Sequence, residues 1–301
     1  MAYPPRQNYP PKEEKPTEVL VKVLVLVVLV VVLLVVLTKL KFMHSKDIPG
    51  WKGFYCGVIE QGKQSKIMVL YGDEGLGDPE LLVEQLSRFR VSAPALSMHI
   101  NSVSTGTLKS FELVILEKAR KLTFTQAAVL EAYMDGGGSI IWIGDAGSEY
   151  VLSEEDRQWA LMENETLPYS YEALVNRSRR ATGFDEIGRQ YLGVNFLRVE
   201  NGSSGVVLKV VDRSNPLMEA VVQELELHEV PFAVVRENAV GAAGGITKSA
   251  VIAYGGHDYP AVLDSKYVGR IVYVAFPPEQ VTQSNQPGGL LTNMVDYLVN
   301  C

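Results

Sequence analysis

Cysteine is nearly absent from this chain of 301 residues: it has two, Cys56 and Cys301, so disulfides are not what holds its core together. Whether the two pair depends on the start of the folded part meeting its last residue, which the spacing alone leaves open. Clustered positive charge is missing as well. Lys and Arg number 28 against 35 Asp and Glu, for a net charge of −7, with no basic stripe. Phosphate-backbone binding depends on such clusters, so nucleic acid is excluded as a partner. No H-E-x-x-H or comparable metal-ligand spacing occurs, and no cofactor is expected. Gly72-x-x-Gly75-x-Gly77 has the glycines of a phosphate loop but lacks its Lys and Ser/Thr, and Asp73-Glu74 would repel a phosphate.

One long apolar run is present. Residues 19–37, VLVKVLVLVVLVVVLLVVL, are interrupted only by Lys22. At the helical rise they cover roughly 28 Å, close to the hydrocarbon thickness of a bilayer. An isolated strand could not satisfy its backbone in lipid, so the run predicts a transmembrane helix over 19–40, with Lys22 snorkelling to the headgroups. A cleaved signal peptide has a shorter apolar region ending at small residues, whereas this run exits into Thr38-Lys39-Leu40-Lys41. The helix lacks Gly-x-x-x-Gly, so the sequence marks no close dimer contact in the membrane.

Before the span, residues 1–18 hold five prolines and alternating charge, and predict a disordered tail. After it, 41–65, with Pro49-Gly50, Gly53, Gly57 and Gly62, read as a tether. Basic residues are balanced on the two flanks. The expected orientation is a short cytoplasmic N-terminus with the large C-terminal part outside, because a brief polar tail is easily left behind when a first helix inserts. The sequons at Asn164, Asn176 and Asn201 would then be open to glycosylation.

Residues 66–301 alternate short apolar runs with amphipathic stretches, the pattern of an α/β domain with a mostly parallel sheet covered by helices. Strands are expected at 66–71, 95–100, 111–116 and 139–143. Helices are expected at 79–89, with Asp78 as N-cap and Pro79 in the first turn, and at 125–135, ending at Gly136-Gly137-Gly138. In the second half, a helix is expected from Ser153 and another over 183–192. Strands are expected at 206–211, 232–235, 250–254 and 270–275, a loop at 239–245 and a closing helix at 290–298.

The passage Phe111-Glu-Leu-Val-Ile-Leu116, a helix opened at Thr123 or Thr125, then Tyr133-Met-Asp-Gly-Gly-Gly-Ser-Ile-Ile-Trp-Ile-Gly-Asp145 resembles class I glutamine amidotransferase-like domains. Val211-Asp-Arg-Ser-Asn-Pro-Leu217 and Lys266-Tyr-Val-Gly-Arg-Ile-Val-Tyr-Val-Ala-Phe-Pro-Pro278 resemble segments of the ThuA-like and gliding-protein-G-like branches. The resemblance covers residues 66–299 and implies a flavodoxin-like three-layer sandwich.

That family's enzymes place a Cys nucleophile on the elbow after the fourth strand, with a His nearby. Here the elbow reads Ile143-Gly144-Asp145-Ala146-Gly147, and the family's C-terminal His-x-Glu is missing. The resemblance therefore implies the fold without the amidotransferase activity. The candidate crevice, at the carboxyl ends of the strands, comprises Asp73, Glu74, Glu117, Gly144, Asp145, His257 and Asp258. The simpler reading is that Asp73 and Asp145 cap helices that follow their strands; His99 reads as a packed polar residue.

Two functions are expected. One is a catalytically inactive, membrane-anchored module that binds a protein or glycan within a membrane or cell-surface assembly, with a protein partner or its own copies. The alternative is a membrane-bound hydrolase using the carboxylates and His257.

Overall fold

The computed structural model describes residues 16–39, 43, 45, 48–60, 66–89, 95–162, 175, 184, 187–202, 205–238, 245–267, 269–281 and 289–299. The proline-rich tail up to residue 15, Asn164, Asn176 and the expected loop at 239–244 lie outside them. Helix α1, Pro16–Lys39, contains the apolar run. Its stretch Thr17–Lys39 is long and apolar enough to cross a membrane and its most apolar 18-residue window is not buried against the rest of the chain, a description that a signal sequence would share.

Beyond it, the elements are β1 Ile67–Tyr71, α2 Pro79–Phe89, β2 Leu96–His99, β3 Leu113–Glu117, β4 Lys121–Thr123, α3 Phe124–Asp135, β5 Ser139–Ile143, β6 Glu149–Val151 and α4 Glu154–Met162. They continue as β7 Val194–Glu200, β8 Val207–Val210, β9 Glu224–Glu226, β10 Phe232–Glu237, β11 Ile246–Tyr254, β12 His257–Lys266, β13 Arg270–Val274 and α5 Leu290–Leu298. The fold is mixed α/β.

Nine strands form one sheet in the order β2-β1-β3-β5-β13-β12-β11-β8-β9. The first five are parallel neighbours, and the remaining four attach by antiparallel pairing. Because successive antiparallel strands alternate, β11 and β9 again point with the first five, so seven of the nine strands share one direction. Next to the middle strand β13 lies β5, SIIWI, held between β3 and β13 with all five residues buried. A strand covered on both faces reads as a continuous apolar run, which is why it was legible from sequence.

Local chemistry fixes the helices. Thr123 and Gln126 form a reciprocal capping box at the start of α3, satisfying two otherwise orphan groups. Its far end is fastened by the Tyr133 hydroxyl, which donates within a cluster of the Phe111, Glu112 and Ser139 carbonyls. Asp78 accepts from the Leu81 amide at 3.2 Å, the expected N-cap of α2, and Leu82 and Leu86 bury that helix's apolar stripe. Ser153 and Asp156 exchange side-chain bonds at the start of α4.

The second half departs from expectation. Within 183–192 the expected helix is present over the described residues Gly188–Leu192, wound wider than an α-helix as a π-helix. Strand β12 was not anticipated at all, because Pro260 interrupts its pattern and a proline cannot donate to a ladder. Pro260 faces Val251 where the β11–β12 register shifts, at a bulge, the place where a strand tolerates proline. The preceding Gly255-Gly256 turn has φ of 58° and 78°, the geometry that suits a two-residue hairpin.

Candidate functional site

In the order β2-β1-β3 the chain leaves β1 for one side and returns on the other, and such a reversal opens a crevice at the carboxyl ends of the strands. A cleft of about 900 Å³ lies there, lined by Tyr71, Asp73, Asp78, Glu84, Ser97 and Lys118 among others. A smaller recess of about 190 Å³ beside it contains His99, Asn101, Lys121 and Gln126.

The loop from Gly72 to Asp78 forms one wall and is fastened to the segment after β3. Lys118 N donates to Leu76 O at 2.8 Å and Arg120 N to Glu74 O at 2.7 Å. The glycines of this loop serve close approach rather than a phosphate. Gly75 (φ +132°) and Gly77 (φ +117°) lie in a region that L side chains rarely adopt. A Cβ at Gly75 would come within 3.0 Å of Asp145 Oδ1, and one at Gly77 within 2.7 Å of Glu117 Oε2.

The elbow after β5 turns at Gly144, whose φ is +62°. The Gly144 amide donates to Val274 O at 2.7 Å, and its carbonyl accepts from the Tyr273 hydroxyl at 3.0 Å. Burial, and then the charge of Asp145, pushes the Tyr273 phenol well above its usual range. Asp145 itself is 0% exposed. It accepts from the Leu76 amide at 2.8 Å and from Arg120 Nε at 2.6 Å. It therefore caps no helix: a turn and β6 follow it, and its carboxylate joins two loops. The N-cap of α2 is Asp78, not Asp73.

Asp73 is exposed and meets His99 Nε2 at 3.2 Å. His99 Nδ1 accepts the Asn101 amide, which assigns the ring hydrogen to Nε2, donating toward Asp73. Glu74 pairs with Lys121 at 2.8 Å. His257 and Asp258 open β12 and are exposed. They stand four strands along the sheet from β1, roughly 19 Å at one strand spacing each. The structure thus brings Asp73, Glu74, Glu117, Gly144 and Asp145 together and leaves His257 and Asp258 apart.

Beneath the cleft, Glu117 ends β3 fully buried, and neither carboxyl oxygen has a hydrogen-bond partner. Burial first, then the charges of Glu279 and Asp78, pushes its pKa up to about 9, so it holds its proton at neutral pH. Glu279 is also buried. Its Oε1 accepts from the Asp78 amide at 3.0 Å, and its backbone carbonyl accepts from Gln85 Nε2 at 2.7 Å. Burial raises its pKa too. Sequence reasoning missed Arg120 and Glu279 and read His99 only as a packed polar residue. Only His99, at a strand end where crevice residues collect, carried a usable signal.

A scan of protein-family profiles finds no match to the chain, and neither does a search of curated protein sequences. Among solved structures, a protein of Bacteroides uniformis described as ThuA-like aligns with a TM-score of 0.55 at 12% identity, over 79% of this chain and 93% of its own. The chain shares that protein's fold. A cytoplasmic protein of Salmonella typhimurium gives a TM-score of 0.49 at 10% identity, over 77% of this chain and 98% of its own. A β-galactosidase of Bacillus circulans gives 0.48 at 14% identity; there the match covers 77% of this chain but 31% of the enzyme. At these identities the first likeness speaks for the fold alone, and the other two carry no argument.

Proposed function

We propose that this chain is a single-pass membrane protein whose residues 66–301 form a flavodoxin-like α/β module that binds a protein or glycan in a membrane or cell-surface assembly and performs no amidotransferase chemistry. The strand order β2-β1-β3-β5-β13 supports the doubly wound arrangement. The observation that carries the loss of catalysis is the elbow. A nucleophile there needs an activating base and access to substrate; Asp145 is instead buried and bonded to Arg120 and the Leu76 amide. The hydrolase alternative, built on His257, moves to His99, which lies in hydrogen-bond reach of Asp73 beside the cleft.

Extraction of the membrane protein in mild detergent, sized by light scattering with co-purifying species identified by mass spectrometry, tests the reading. A stoichiometric partner or a homo-oligomer is the expected result. A lone monomer that carries a small ligand and loses turnover of it on Asp73→Asn would establish the hydrolase instead.

The module faces the extracytoplasmic side in this reading. Cys56 is disulfide-bonded, and the chain's other cysteine is Cys301, outside the described residues. Structural disulfides persist in oxidising compartments. Asn201, the sequon asparagine within the described residues, is exposed after β7. On sealed cells, a membrane-impermeant maleimide is expected to modify neither cysteine until a reductant is added. Replacing Cys56 with serine is expected to cost roughly 2–5 kcal/mol of stability. Cysteines that stay unmodified even after a membrane-impermeant reductant would overturn this orientation, and thiols that react before it would overturn the disulfide.

A further inference from the structure

The segment just after the apolar helix is folded where the sequence predicts a loose tether. A short helix, Trp51–Phe54, runs directly into a wide turn, Tyr55–Ile59. One side of it is docked on the last turn of α1. Trp51, buried, donates from Nε1 to Thr38 Oγ1 at 3.0 Å, and the Thr38 hydroxyl donates to the Leu34 carbonyl at 2.8 Å. Lys39 Nζ lies 3.6 Å from Glu60 Oε1. Trp51 packs on Phe54 and Tyr55 with ring centroids 5.3 and 6.1 Å away.

The other side is apolar and uncovered. Phe54 is 39% exposed and Val58 61%, each preceded by an exposed glycine, Gly53 and Gly57. Its position says what covers it. Thr38 and Lys39 end the span, so a segment bonded to them lies at the depth of the headgroups, where aromatic side chains with one apolar and one polar end collect. A short element with its polar bonds turned inward and an aromatic and an aliphatic side chain turned outward suits the boundary between headgroups and acyl chains.

We propose that Trp51–Ile59 is an interfacial element whose Phe54 and Val58 insert at the lipid surface, holding the α/β module at a fixed height above the bilayer. The inference rests on reading α1 as a membrane span. It makes residues 51–60 part of the anchor and shortens the tether to the stretch that follows.

The test reconstitutes the full chain in vesicles of phosphatidylcholine and phosphatidylglycerol that carry a photoactivatable acyl chain, and maps lipid adducts by mass spectrometry. The span and the peptide holding Phe54 and Val58 should both be labelled. That peptide should exceed the exposed apolar residues Val211 and Val222 by roughly tenfold, as expected for an interfacial segment. The pair Phe54→Glu and Val58→Glu should abolish the adducts there and leave those in the span. A labelled span with a 51–60 peptide no more labelled than Val211 and Val222 would overturn the interfacial element. In the same vesicles, an amine-reactive bifunctional crosslinker that joins two copies through Lys52 would overturn it in favour of a dimer contact. Absence of label in both regions would overturn the span reading itself.

Discussion

Replacing Arg120 with alanine is expected to lower the unfolding free energy by about 3 kcal/mol, the lower end of the range for breaking a buried ion pair. The reason is the partner left behind. Asp145 is wholly buried, and Arg120 Nε, at 2.6 Å, is its only side-chain cation among the described residues; without it the carboxylate keeps, among those residues, the Leu76 amide alone. The figure stays at the lower end because the Arg120 side chain is 32% exposed, so water can reach part of the vacated space. Denaturant unfolding of the purified full chain measures the loss, and the pair Arg120→Met with Asp145→Leu should recover most of it, because removing both charges also removes their desolvation. A loss below about 1 kcal/mol, the worth of a surface pair, would mean that Asp145 is solvated.

Much of this architecture is legible because its signals are local. The five buried residues of β5, the Thr123–Gln126 box and the Asp78 cap each lie within a few residues of the element they define, so periodicity and capping rules find them. The site is less legible because its bonds are long-range. Asp145 reaches Leu76 across 69 residues, and Asp78 reaches Glu279 across 201. No local pattern marks either. The carboxylates expected in the crevice are mostly there, but their roles differ: Asp145 fastens two loops and Glu117 is sealed beneath Gly77. His257 is expected in the crevice because it follows the carboxyl end of the strand at 250–254; the sheet order sets that strand and β12 several strands away from β1, which no local pattern reveals. The glycines at 75 and 77 stand where the wall of the cleft passes close to Asp145 and Glu117, which accounts for a phosphate-loop appearance without a phosphate loop.

Glu117→Gln is expected to reshape the dependence of stability on pH. In the folded chain the Glu117 carboxyl titrates at about 9, chiefly through burial, whereas in the unfolded chain it titrates near the ordinary glutamate value of about 4.3. Below that value both states are protonated and ionisation costs nothing. As pH rises, the unfolded chain loses its proton first, so stability falls with a slope of about 1.4 kcal/mol per pH unit until the folded carboxyl also ionises near pH 9. The wild-type chain should therefore lose several kcal/mol between about pH 4.5 and pH 9 through this residue. Glu279, whose pKa is raised too, adds to the loss in the same direction. Glutamine has the shape of the protonated acid and cannot ionise, so the variant should be more stable than wild type at pH 8 by about 3 kcal/mol or more. At pH 4 the order should reverse by about 1–2 kcal/mol, since the amide buries donors at a place where the carboxyl oxygens already lack partners. Thermal unfolding of the full chain across this range should give two curves that cross. Parallel curves would mean that Glu117 ionises freely and that the floor of the cleft is charged at neutral pH. Crossing curves would mean that the cleft lined by Asp73, Asp78 and Glu84 rests on an uncharged Glu117 carboxyl.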